Sequence, residues 1–143
     1  MTQTPRRLLA VDPGSRRVGI AVSDELGLFA HARPALPGGD NAKVAEAIAA
    51  LVAAEHIDEV VVGMPLSLSG ADTAQTTSVR AFVAELRRRL PVPVSIWDER
   101  LSSVEASRSV KGAARRKSGE LDSAAAAIVL QAVLESRRPG KAS

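Results

Sequence analysis

The sequence predicts an α/β fold: a mixed five-stranded sheet, in the order β-β-β-α-β-α-β-α, with helices on its faces. Three observations predict it. Two short turns near the start separate three strand-like runs, which makes two hairpins in succession. Behind them helical and strand patterns alternate, the arrangement that gives parallel crossovers. The chain has 143 residues, 45% apolar and 24% charged, which is enough for one core and too few for two. The expected organisation is a single domain over 1–143, with its core at about 7–136 and a basic tail at 137–143.

Arg7-Leu8-Leu9-Ala10-Val11 has the continuous apolar character of a buried strand and stops at the turn signal Asp12-Pro13-Gly14-Ser15. Val18 to Ser23 is the second strand, Asp24-Glu25 the turn, and Leu26 to Ala32 the third strand. Pro34 to Asp40 is expected to be a loop. Val44, Ile48, Leu51 and Val52 then fall at helical spacing within Ala42 to His56. Glu59 to Gly63 is an apolar strand stopped by Met64-Pro65, and a long loop, Leu66 to Asp72, follows it. Val79, Phe82, Val83, Leu86 and Leu90 form one helical stripe, broken by Pro91 and Pro93. Val94 to Trp97 is the fifth strand and runs into Asp98-Glu99-Arg100. Ser102-Ser103-Val104-Glu105 has the form of a capping box, and Leu121 to Glu135 is a final alanine-rich helix.

Composition excludes several chemistries. Without cysteine there are no disulfides, zinc ribbons, iron–sulfur clusters or thiol nucleophiles. His31 and His56 are the two histidines, too few for a three-histidine zinc site. A bound metal would be held mainly by oxygens, which favours Mg²⁺ or Mn²⁺. No stretch approaches the roughly 20 apolar residues of a membrane span, and the N-terminus lacks the apolar run of a secretory signal, so a cytoplasmic location and no membrane partner are expected. Net charge is +3, unevenly spread. Arg108, Lys111, Arg115, Arg116 and Lys117 share one stretch with no acid among them, and Arg87-Arg88-Arg89 and Arg137-Arg138 add two further clusters. Such clusters suit a polyanion or, equally, a solvated surface. Aromatic residues are 2% of the chain, too few for a platform that stacks successive bases, so nucleic acid would be held through phosphates and shape.

If the first, fourth and fifth strands run parallel, their C-terminal ends bring Asp12, Gly63 and Asp98-Glu99-Arg100 to one edge, where open α/β sheets bind ligands. Asp12 could simply form an Asx-turn; as a functional group it is a carboxylate on a rigid strand end, with Gly14 and Gly19 permitting close approach of a phosphate backbone. Alternation sends Asp98 and Glu99 to opposite faces, so only one of them can join a shared site. Asp122 could be an N-cap. Glu105 belongs to the capping box, and Asp24 and Asp72 to a turn and a helix start. Three carboxylates from two strand ends and a helix start can hold divalent ions that act on a phosphodiester.

Four segments together resemble the YqgF/RuvX family of Holliday-junction-resolvase-like nucleases with the RNase H fold. They are Leu9 to Asp24, Val61-Val62-Gly63-Met64-Pro65-Leu66 with Gly70, Trp97 to Ala106 (which includes D-E-R-L-S-S-V-E-A) and Leu121 to Ala126. The resemblance runs from Leu8 to about Leu134. It implies an RNase H-like sheet and an acidic triad of Asp12, Glu99 and Asp122 that binds Mg²⁺ or Mn²⁺ and is catalytic. The second acid would sit on the fifth strand, not on the fourth as in RuvC relatives. Arg16, Arg100, Lys111, Arg115, Arg116 and Lys117 would contact phosphates. One segment departs from the family pattern: where P-L-N-M-D-G-T is usual, this chain has Pro65-Leu66-Ser67-Leu68-Ser69-Gly70-Ala71, so that loop offers no acid.

The implied function is a metal-dependent nuclease that trims the 5′ end of pre-16S ribosomal RNA, with structured RNA as partner. The alternative is a resolvase of Holliday junctions or other branched DNA, for which a two-fold homodimer would suit the symmetric substrate. A non-catalytic nucleic-acid-binding module is the rival of another class. ATP handling of the actin or sugar-kinase type needs two such domains, and the chain supplies one.

Overall fold

Why the sheet forms is visible in its strands. Leu8 and Ala10 face one way, Leu9 and Val11 the other, and all four are buried, so β1 (Leu8–Asp12) must be covered on both sides. The computed structural model describes residues 6–14, 16–64, 74–101 and 123–138. It contains β2 (Arg17–Ser23), β3 (Ala30–Pro37), α1 (Asn41–Ala54), β4 (Glu59–Met64), α2 (Ala74–Arg89), β5 (Val94–Asp98), a 3₁₀ turn (Glu99–Leu101) and α3 (Ala124–Ser136). Among these residues no helix is long and apolar enough to cross a membrane.

The five strands lie in the order β3-β2-β1-β4-β5. β1, β2 and β3 pair antiparallel, while β4 lies parallel to β1 and β5 parallel to β4, as two hairpins followed by crossovers require. α1 and α2 cover one face, where Val44, Ile48, Phe82 and Leu86 pack on Leu9, Val11, Ile20, Val60 and Val62. On the other face α3 lays Ala126, Ala127, Leu130 and Val133 against Leu8, Ala10, Ala21 and Val61. Alanine facing alanine lets that helix approach the sheet closely.

The third strand differs from expectation. It begins at Ala30, not Leu26, and includes Pro34 and Pro37. Leu26 belongs to a loop built on Asp24, whose carboxylate accepts from the Leu28 and Phe29 N–H groups at 2.9 and 3.2 Å. Pro34 fits because β3 is an edge strand with a register shift: Val18 faces Leu36 but Ile20 faces Arg33, so two residues oppose Gly19, and a bulge tolerates a residue with no N–H. The first helix ends at Ala54, before His56, which has φ 54°. Asp40 caps it by accepting from the Ala42 and Lys43 N–H groups.

Several arginines that had suggested a polyanion partner have partners within the fold. Arg87 donates to the Val94 carbonyl, and Arg88 and Arg89 pair with Glu85. Arg137 donates two hydrogen bonds, each 3.0 Å, to the buried Glu59, which also accepts from the Ser95 hydroxyl. The Arg137 guanidinium, with burial opposing it, holds the Glu59 carboxyl below its ordinary value.

Candidate active site

The parallel strands end together. Register pairs Val11 with Val62, Val62 with Ile96, Gly63 with Trp97 and Met64 with Asp98, which brings the ends of β1, β4 and β5 to one edge. Alternation then sorts the side chains. Asp12 follows Leu8 and Ala10 and so belongs to the α3 face. Trp97 packs on that same face, and Glu99, two residues on, joins it. Asp98 alternates the other way.

Asp12 and Glu99 are half-buried and hydrogen-bonded to each other through their carboxyl groups. That bond needs a proton on one of them. Burial raises the Asp12 carboxyl above its ordinary value, against the hydrogen bond from Glu99. Glu99 is pushed up to about 7, by burial first and then by the hydrogen bond and negative charge of Asp12, with Asp98 adding to the charge. Two acids so placed want a cation. Their oxygen chemistry fits Mg²⁺ or Mn²⁺, and they are the side chains here that could hold one. Among the described residues no group of three or more possible metal ligands occurs; Asp122, the third expected ligand, lies outside the described residues.

Glu99 has room because of Gly63. A Cβ on Gly63 would stand 2.8 Å from Glu99 Oε1, 3.3 Å from its Cγ and 3.4 Å from Val129 Cγ2. The sequence places Gly63 at the sheet edge without giving it this role; the available signal is a glycine at the end of a Val-Val-Val run. Ser123 was also missed. It is fully buried, and its hydroxyl accepts from the Ile20 N–H at 2.9 Å, beside the β2–β3 register shift. Ser123 holds the N-cap position of α3 without a side-chain cap hydrogen bond.

The remaining expected site residues distribute as follows. Gly14 closes the β1–β2 turn: a Cβ there would meet the Arg17 carbonyl oxygen at 2.5 Å. Gly19 pairs with Asp12 across β1 and β2. Arg16 is exposed just beyond Gly14, and its carbonyl accepts from the Gly38 N–H at 2.8 Å. Arg100 lies in the 3₁₀ turn beside Glu99. Lys111, Arg115, Arg116 and Lys117, the Ser102–Glu105 capping box and Asp72 lie outside the described residues.

Comparison with known proteins bears on this arrangement. A family described as "RuvX: Holliday junction resolvase" matches residues 6–136. A Koribacter versatilis protein named "Putative pre-16S rRNA nuclease" is 42% identical over 134 residues, covering 92% of this chain and 88% of its own. Among solved structures, Thermus thermophilus RuvC in complex with Holliday junction substrate superposes with a TM-score of 0.67 at 15% identity, over 93% of this chain and 96% of the other. The fowlpox virus Holliday junction resolvase gives a TM-score of 0.55 at 12% identity, over 91% and 99%. The fold is that of the RuvC and RNase H-like nucleases.

Proposed function

Because the chain belongs to the RuvX family, we propose that it is a divalent-metal-dependent nuclease acting at the 5′ end of pre-16S ribosomal RNA in the cytoplasm. The observation that carries the reading is the Asp12–Glu99 carboxyl pair at the C-terminal edge of the parallel strands. Asp12, Glu99 and Asp122 would hold Mg²⁺ or Mn²⁺, and all three would be catalytic. When bound, the cation supplies Lewis acidity toward the phosphodiester and favours hydroxide near neutral pH.

The protein's own part is positional and electrostatic. Asp12 and Glu99 surrender their shared proton and present two charges from rigid strand ends. Gly63 keeps the Glu99 carboxylate over the sheet edge. Ser123 ties the start of α3, which follows Asp122 in sequence, to Ile20, whose partner in β1 is Val11. Arg16, Arg100, Lys111, Arg115, Arg116 and Lys117 would neutralise phosphates along the strand, while Gly14 lets the turn after Asp12 close on the Arg17 carbonyl and Gly19 pairs with Asp12 inside the sheet.

The test is cleavage of matched pre-rRNA, linear DNA and four-way-junction substrates with Mg²⁺, with Mn²⁺ and in excess EDTA. RNA cleavage at the precursor 5′ end that EDTA abolishes and Asp12→Asn removes is the expected result. Preferential cutting of the four-way junction would favour the second reading, which rests on the family's own description as a Holliday junction resolvase and would suit a homodimer. Metal-independent cutting, or cutting that survives Asp12→Asn, would overturn the mechanism. Binding without any cutting would leave a nucleic-acid-binding module.

A further inference from the structure

A cavity of about 510 Å³ opens on the α1/α2 side of the sheet. Val18, Val44, Val79 and Phe82, all buried, form its walls, while Asn41 and Ser78 stand exposed at its rim. Pro13 and Gly14 also line it, so its mouth begins within about 7 Å of chain from Asp12. The end of β1 therefore has an acidic site on one face and an apolar chamber on the other. Gly39, also in the lining, has φ +102°, and a Cβ there would meet nothing within 4 Å, so the space is open on that side.

We propose that this cavity receives one unstacked nucleobase of the RNA strand whose phosphodiester lies at Asp12 and Glu99, an inference that rests on the nuclease reading above. The size lies within the range of pockets that enclose small organic ligands. Among the described residues no lining side chain carries a charge, so the cavity suits the uncharged part of a nucleotide and not its phosphate. A base has apolar faces and a polar edge. The valines and Phe82 match the faces, and the Asn41 amide and Ser78 hydroxyl offer both donors and acceptors to the edge. Adjacency in the chain supplies the geometry: Pro13 and Gly14, which line the cavity, directly follow Asp12, so a strand held at Asp12 would round that turn to carry a neighbouring base from the acid face to the cavity face. Unstacking costs least where a base is already unpaired, so the cavity would direct cleavage to single-stranded segments beside structured RNA.

The experiment uses the full chain, metal-free to prevent cleavage, and a short single-stranded RNA carrying 2-aminopurine in place of adenine. Binding is followed by anisotropy and unstacking by 2-aminopurine fluorescence. The comparison is with Asn41→Leu/Ser78→Leu, which fills the rim from two exposed positions, and with Ser78→Met as a milder form. The wild-type chain is expected to raise the fluorescence several-fold. The filled variant should lose that rise and bind the RNA about tenfold more weakly, with Ser78→Met intermediate. An RNA with an abasic residue at the most responsive position should bind all three chains alike, which also shows that the variants fold. An equal rise in the wild-type and filled chains, or equal weakening toward the abasic RNA, would overturn the proposal. Cleavage, assayed separately with Mg²⁺ or Mn²⁺, keeps the two readings apart. A chain that shows the rise but never cuts loses the nuclease reading and keeps the cavity; one that cuts, with fluorescence indifferent to filling, does the reverse.

Discussion

Gly63 and Glu99 compete for one small volume: the hydrogen of Gly63 points where a Cβ would stand 2.8 Å from Glu99 Oε1. The atom in the way is the end of a flexible side chain, so the fold can absorb a methyl group there and the carboxylate must move instead. Gly63→Ala is therefore expected to cost about 1 kcal/mol or less in stability and at least about tenfold in cleavage. Because both substitutions act on one carboxylate, Gly63→Ala/Glu99→Gln should cleave no worse than Glu99→Gln alone. Urea denaturation and single-turnover cleavage measure the two effects; additive losses would show that Gly63 acts elsewhere.

The raised Glu99 carboxyl gives metal-free stability a definite pH dependence. The folded state keeps the proton up to about 7, whereas an ordinary glutamate releases it near 4.5. Between those values the folded state binds more protons than the unfolded one, so stability falls as pH rises. After allowing for solvent screening at a half-exposed site, the loss should be about 1–2 kcal/mol. Thermal denaturation in EDTA from pH 4 to 8 should show it, and Glu99→Gln should flatten the profile. A metal-free chain that gains stability over that interval would contradict the assignment.

Metal binding should reverse this trend, since the cation needs both carboxylates ionised. Titration with Mg²⁺ or Mn²⁺ at pH 6.5 is expected to release protons and to raise Tm. Asp12→Asn should remove both responses and lower cleavage at least about a hundredfold. Calorimetry in two buffers of different ionisation heat counts the protons.

Ser123 satisfies a buried backbone donor, not the end of its own helix. Ser123→Ala would strand the Ile20 N–H, so a loss of about 1–3 kcal/mol is expected. Denaturant titration gives the value; a loss below about 0.5 kcal/mol would mean that Ile20 finds another acceptor.

Replacing Lys111, Arg115, Arg116 and Lys117 together by alanine should weaken binding to all sequences alike, because phosphate contacts carry no base information. Against single-stranded RNA the slope of log affinity on log salt should drop by roughly three units. An unchanged slope would make that run a solvated surface.

The sheet was legible in the sequence because its strands are continuous apolar runs closed by Pro and Gly. Asp12 was legible as the polar residue on which the first such run ends. Alternation allowed one of Asp98 and Glu99 to share a face with Asp12, and register with Gly63 and Trp97 places Glu99 there. The start of β3 was not legible. Leu26, Leu28 and Phe29 have strand-forming character yet are exposed, because Asp24 closes a turn over them, and Pro34 resembled a loop residue because an edge bulge depends on tertiary pairing. Nor could charge counting show that Arg87 to Arg89 have partners in Glu85 and the Val94 carbonyl. Helical spacing offers Glu85 to Arg88 and Arg89 as i,i+3 and i,i+4 partners; that those contacts are made, and that Arg87 turns back to the Val94 carbonyl, only the packed chain shows.

α3 is pinned at both ends. At the active edge Ser123 holds Ile20 of the antiparallel half of the sheet; at the far edge Arg137 grips Glu59 of the parallel half and Arg138 reaches the Leu28 carbonyl at 2.8 Å. In a carpenter's frame such a member is a diagonal brace: it stops the rectangle from racking. Asp12 and Glu99 sit on different uprights, β1 and the extension of β5, so their spacing changes when the frame skews. Loosening the bolt at Glu59 would let that skew reach the two acids from the opposite end of the molecule.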